Sequence, residues 1–116
     1  MLIRRELDQI GPGAKLHKSD LRNVFLKNKD LSQANLSEAD LSDSDLSGSN
    51  LTGANLKGAI LKGTNLSKAN LSKADLSKAD LTGANLTGAC LSSTIMVDTV
   101  LEGTKLEGAN IINAIR

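Results

Sequence analysis

Leucine returns at every fifth position along almost the whole chain. From residue 16 to residue 111 a step of five visits twenty positions, of which eighteen are Leu and the others Met96 and Ile111. The middle of this run is Leu36, Leu41, Leu46, Leu51, Leu56, Leu61, Leu66, Leu71, Leu76, Leu81, Leu86 and Leu91, the expected structural core. Two residues before each position stand eleven Ala, four Thr, three Ser, one Val and one Lys, so this slot admits almost nothing bulky. One residue before, thirteen of the twenty are Asp or Asn. Two residues after, Gly recurs at 48, 53, 58, 63, 83, 88, 103 and 108. The unit is A-(D/N)-L-(S/T)-x, and its phase never slips.

A period of five excludes the ordinary elements. On an α-helix, at about 100° per residue, a five-residue step turns roughly 140° and scatters the leucines around the circumference. On a flat strand an odd step puts successive leucines on opposite faces. A chain that bends once per repeat keeps them together. Within one repeat the small residue and the Leu are two apart, so a very short extended segment points both inward and the Asp or Asn outward. The next two residues must turn the corner, where Gly supplies positive φ and Asn, Asp or Ser offer local side-chain bonds. The pattern predicts a coil with leucines inside and polar residues outside.

This motif resembles that of the pentapeptide repeat family, from residue 14 to residue 115. The resemblance implies an all-β fold, a right-handed quadrilateral parallel β-helix in which four repeats make one coil, with about five coils in all. Leu16, Leu36, Leu56, Leu76 and Met96 would then form one inner ladder. Lys29, the misfit in the small slot, would mark an irregular first coil whose ammonium reaches solvent. The Leu-centred repeat is similar to that of cyanobacterial members, which implies a bacterial source.

A solenoid exposes its ends, and those need covers. Before the repeats, Ile3, Leu7 and Ile10 fall on one helical face and Gly11-Pro12-Gly13 stops a helix. Residues 2–10 are therefore expected to lid the first coil, dividing the chain into a cap at 1–13 and a β-helix at 14–116. Near the other end the outward positions turn apolar, at Ile95, Val97, Val100, Ile112 and Ile115. Ile95 and Ile115 should be stacked neighbours, and such a cluster predicts packing against a second copy, a homodimer through the C-terminal coil.

Composition narrows the function classes. At 116 residues and 12.1 kDa the chain is one domain's worth, and Phe25 is its single aromatic residue. An aromatic-stacking nucleic-acid site and a carbohydrate platform are thereby disfavoured. Fourteen basic against thirteen acidic residues give a net charge of +1, so bulk electrostatics selects no partner. One cysteine, Cys90, excludes an intramolecular disulfide. Arg4, Arg5, Glu6 and Asp8 interrupt any signal-peptide core, and no run reaches transmembrane length. A cytoplasmic location is expected, with no membrane partner.

Candidate chemistry is sparse. His17 lies outward without the oriented partner and cleft that a general base needs, and Cys90 has no neighbouring His to activate it. No metal-ligand spacing occurs, so no catalytic residue, metal or cofactor is expected. The family's best-known activity, topoisomerase (gyrase) modulation by a rod that imitates DNA, demands carboxylates along one face. The most acidic face carries Asp20, Asp40, Asp43, Asp80 and Glu102 against Arg22 and Lys62, five carboxylates and two cations that leave −3. A belt of Lys57, Lys62, Lys68, Lys73 and Lys78 interrupts any duplex-like potential, which argues against DNA mimicry and leaves the belt without an assigned role. The Ser32, Thr52, Ser72 and Ser92 column suggests an ice-binding lattice, but only one member is Thr, and the lysine belt suggests contact with an anionic surface, against which Glu38, Asp43 and Asp45 lie a coil or two away. The expected role is a non-enzymatic structural or protein-interaction module with an unknown protein partner.

Overall fold

Five residues are just enough to make one short side and one corner. In the computed structural model, which describes residues 10–116, each repeat contributes one parallel bridge residue followed by a turn. Seventeen bridges run from Lys15↔Asn35 to Ile95↔Ile115, every one parallel and joining residues twenty apart. Four corners therefore close one coil, and successive coils stack in register. No helix occurs among the described residues. The principal extents are 36 × 23 × 22 Å, a rod of nearly square section.

The corner is a β-turn with a left-handed third residue. In the repeat at Leu16, the Ser19 N–H donates to the Leu16 carbonyl at 3.1 Å while Lys18 holds φ at 59°. Positive φ at the third position alone defines a type II turn. The same residue of every repeat from 13 to 113 has φ between 57° and 71°, and twelve of these residues are not glycine. The turn thus overrides residue preference at more than half the corners. Pro12-Gly13 suits such a turn, and Ala14 N–H donates to the Gly11 carbonyl at 3.1 Å.

Accounting for backbone N–H groups explains the motif slot by slot. In the repeat from Ala34 to Glu38, Asn35 N–H donates to Ala14 O one coil back, and Leu36 and Glu38 N–H donate to Asn55 O and Lys57 O one coil on. The small residue that follows, Ala39, closes the turn onto Leu36 O. Only the Ser37 N–H remains, and Asn35 Oδ1 accepts it at 3.1 Å. An Asp or Asn before each Leu is therefore the acceptor for the one donor that stacking and the turn leave over.

Inside, Leu36 through Leu91 are fully buried at every fifth position, with Met96 at 5% exposure. The small-slot residues Ala34, Ala54, Ala74 and their equivalents fill the gaps beside them. Toward the end of the described chain Leu101 and Leu106 are half-buried and Ile111 is 46% exposed. The expected lid at residues 2–10 lies outside the described residues except for Ile10, which is buried against the core. Lys29 corrects the expected irregular coil. Its N–H donates to Leu26 O at 3.1 Å, its carbonyl accepts from Asn50 at 2.9 Å, and Asp30 bridges Asn50 like any other repeat. A flexible aliphatic stem can leave a small slot without disturbing the backbone.

Four small-slot hydroxyls donate to the leucine carbonyl 23 residues earlier: Ser44 to Leu21 at 2.5 Å, and Thr64, Thr99 and Thr104 to Leu41, Leu76 and Leu81, each at 2.7 Å. Ser49 Oγ, stacked next to Lys29, is buried with no partner. Ser49→Ala is expected to raise unfolding free energy by about 1 kcal/mol and Ser44→Ala to lower it by about the same, read by urea denaturation. At one corner column, Lys73→Gly should stabilise by up to ~1 kcal/mol. Gly53→Ala should destabilise by about 1–2 kcal/mol, because it adds a Cβ at left-handed φ. The Gln33 amide already occupies the space that Cβ would take. Thermal melts of the two variants moving in the same direction would contradict this account.

Candidate interaction surfaces

With the interior so uniform, individuality resides in the outward slots. The bridge residues form four columns, and the residue after each Leu forms a parallel column beside them. Along most of the shaft these are tied back to the backbone. Ser37, Ser42, Ser47, Thr52, Ser67, Ser72 and Thr82 each turn their hydroxyl hydrogen into the preceding Asp or Asn Oδ1, at 2.5–2.7 Å. The Thr52 and Ser72 hydroxyls therefore point their hydrogens inward along the surface, which weakens the case for a hydroxyl lattice that reads a partner.

These bonds also set the carboxylates. Asp45 is held below the usual carboxylate range by the Ser47 hydroxyl and N–H, and Asp80 likewise by Thr82, with Lys62 adding a smaller effect. Asp30 is lowered by the Ser32 N–H and hydroxyl. Asp20 lies well below the range because Arg22 bonds it through both side chain and backbone.

On the acidic face two cations pair with three of the five carboxylates, and the net charge of −3 remains. Arg22 lies 2.8 Å from Asp20 and 4.0 Å from Asp40, and Lys62 lies 3.6 Å from Asp80. Such pairing reduces the potential that a DNA-like surface would have to project.

His17 has more company than its sequence position suggests. Nδ1 is 2.7 Å from Ser37 Oγ and 3.0 Å from Ser37 O, and Nε2 is 3.7 Å from Glu38 Oε2. The expectation of an unpartnered ring is thus corrected, since its partners come from the coil twenty residues on. The Ser37 hydroxyl hydrogen is directed to Asn35, and the His17 and Glu38 side chains are 46% and 57% exposed. The group sits on an open surface, whereas acid–base catalysis calls for an oriented substrate in reach. Cys90 is half-buried with its Sγ 3.1 Å from Ser72 Oγ. Among the described residues no three His, Cys, Asp or Glu gather as metal ligands.

The structure brings Ile95, Val97 and Ile115 onto one face, at 37%, 40% and 55% exposure. Ile95 and Ile115 are bridge partners. Val100 lies around the next corner and Ile112 around the preceding one, so the five form a patch spread over three faces. Phe25, in the outward slot before Leu26, is 83% exposed. Its slot announced this exposure, although its rarity in the composition drew attention first. Two open notches lie at glycine corners of one coil, at Gly48 and Gly58, with volumes of about 360 and 410 Å³.

A parallel β-coil that hides a repetitive interior and varies only its outer columns belongs to the solenoid class of surface-presenting proteins. The family model described as pentapeptide repeats (8 copies) matches residues 14–53, 49–88 and 84–115. The chain belongs to the pentapeptide repeat family. It is similar to a pentapeptide repeat protein of the Arabidopsis thaliana thylakoid lumen, at 35% identity and TM-score 0.78, covering 81% of this chain and 66% of that one. The chain thus spans slightly less than two thirds of that relative. A second similar structure is the pentapeptide repeat protein Rfr23 of the cyanobacterium Cyanothece 51142, at 27% identity and TM-score 0.51, covering 89% and 88%. QnrB1, a plasmid-mediated fluoroquinolone resistance protein, shares the fold at 16% identity and TM-score 0.50, with 82% and 65% covered. No curated protein matches the sequence. These neighbours carry the right-handed quadrilateral β-helix, and proteins of this family are generally structural or interaction modules.

Because the folded-state pKa values of Asp20, Asp30, Asp45 and Asp80 are lowered, the stability they contribute is present above the unfolded carboxylate pKa. It is expected to fall away as pH drops below about 4. Melting temperature against pH should show this loss. Asp45→Asn with Asp80→Asn should reduce it, since Asn supplies the same Oδ1 acceptor without titrating while Asp20 and Asp30 still do.

Proposed function

We propose that the chain is a non-enzymatic protein-interaction module, a stiff rod of about five coils that associates through the apolar patch centred on Ile95, Val97 and Ile115. The observation that carries this reading is the change along one outward column, where Asn35, Asn55 and Asp75 give way to Ile95 and Ile115. Exposed, stacked, branched aliphatic residues on a surface otherwise tied up in polar bonds favour burial against another protein surface. Val100 and Ile112 extend the contact around the two adjoining corners. A second copy of the chain is the partner this reading favours, because an isologous contact would set each patch against its own kind. It assigns residues 1–13 to a cap and 14–116 to the rod, with no cofactor and a cytoplasmic, bacterial setting.

Sedimentation velocity over a concentration series tests the proposal. Self-association is expected for the native chain, and Ile95→Asp with Ile115→Asp should weaken it roughly tenfold or more, since each carboxylate would be buried unpaired. A native chain that stays monomeric at millimolar concentration would refute the homodimer.

A further inference from the structure

A second surface, near the other end of the rod, combines features that occur together nowhere else among the described residues. Gly48 leaves a corner without a side chain between Asn28 one coil back and Lys68 one coil on, both of which line the resulting notch. Lys27 and Lys68 border this space, their backbones about two coil spacings or ~9–10 Å apart. Among the described residues neither ammonium has a carboxylate within 4.0 Å. Asp45 also lines the notch, but its Oδ1 is already engaged by the Ser47 N–H at 3.0 Å and the Ser47 hydroxyl at 2.6 Å. Next to Asp45, as its bridge partner, stands Phe25, two residues before Lys27 and 83% exposed.

We infer that this corner is a docking site for a protein segment that presents a carboxylate beside an apolar side chain. The carboxylate would enter the notch between Lys27 and Lys68, and the apolar group would cover Phe25. Two cations without ion-pair partners among the described residues call for an anion, and the size of the notch, about 360 Å³, admits a side-chain terminus. Asp45 narrows the choice. With one carboxylate set among two lysines the site is net +1, which suits a single carboxylate and opposes a run of phosphates. Phe25 adds what a simple anion site lacks, an aromatic anchor of the kind that dominates interface energetics.

This site stands apart from the Ile95 patch, so the two can be tested independently. A displayed library of random twelve-residue peptides would be selected on the immobilised native chain. The selected peptides should be enriched in Asp or Glu within a few positions of Leu, Ile, Phe or Trp. Binding by fluorescence polarisation should weaken at least tenfold in Lys27→Ser with Lys68→Gly, and again in Phe25→Asn. These replacements copy residues already present in the same columns, at Ser47, Gly88 and Asn65, so the fold should persist, and a melting temperature no lower than the native chain's would confirm that. Ile95→Asp with Ile115→Asp should leave peptide binding intact. The inference is overturned by an absence of enrichment, by peptides without acidic residues, or by affinity that ignores the Lys27, Lys68 and Phe25 changes. It is equally overturned if labelled single-stranded DNA or anionic vesicles bind through these residues and the peptides do not.

Discussion

The structure depends on one backbone constraint, a left-handed residue at every fifth position. That single conformation turns the chain by a quarter of a circuit and so returns each Leu to the interior one side later. It also directs the neighbouring N–H groups along the shaft, toward carbonyls of the adjacent coils. The D/N slot, the small slot and the leucine ladder are then consequences. One supplies the remaining acceptor, one clears the inside of the corner, and one fills the space that four sides enclose. Strain at non-glycine corners such as Glu38 and Lys73 is tolerated because stacking from both neighbouring coils over-determines the turn.

This logic identifies where the surface is free to specialise. Replacing the Asp or Asn before a Leu removes an acceptor, and the following N–H is left to water. Phe25, Ile60, Cys90, Ile95 and Val100 are such replacements. The loss is modest on an exposed surface, yet it removes a bond that thirteen repeats keep. Departures from the repeat that give up a bond and expose apolar surface are thus the places where folding alone does not account for the residue. Both surfaces proposed above are built on them.

Much of the fold was legible in the sequence because its information is periodic. A step of five, a small partner two residues earlier and a polar residue between them suffice to put Leu36 or Leu91 inside and Asn55 outside. What the period could not convey was the behaviour of individual side chains. Nothing in the repeat says that Lys68, Lys73 and Lys78 adopt the same backbone conformation as Gly48, since local preference opposes it and only stacking enforces it. Nor does it say that His17 finds Ser37 and Glu38, or that Arg22 turns to Asp20, because rotamers decide which members of a column meet. Lys29 misled for a related reason, as residue type suggested a broken coil while its stem left the backbone undisturbed.

The separation between a uniform lumen and a varied exterior has an evolutionary corollary. Removing twenty residues would excise one storey and leave everything above it facing as before. Removing five would preserve the lumen equally well while rotating every downstream side chain onto the adjacent wall. Short in-frame gains and losses can therefore reshuffle which groups share a wall without touching the filling, so such a scaffold can acquire new binding combinations by slippage as readily as by substitution.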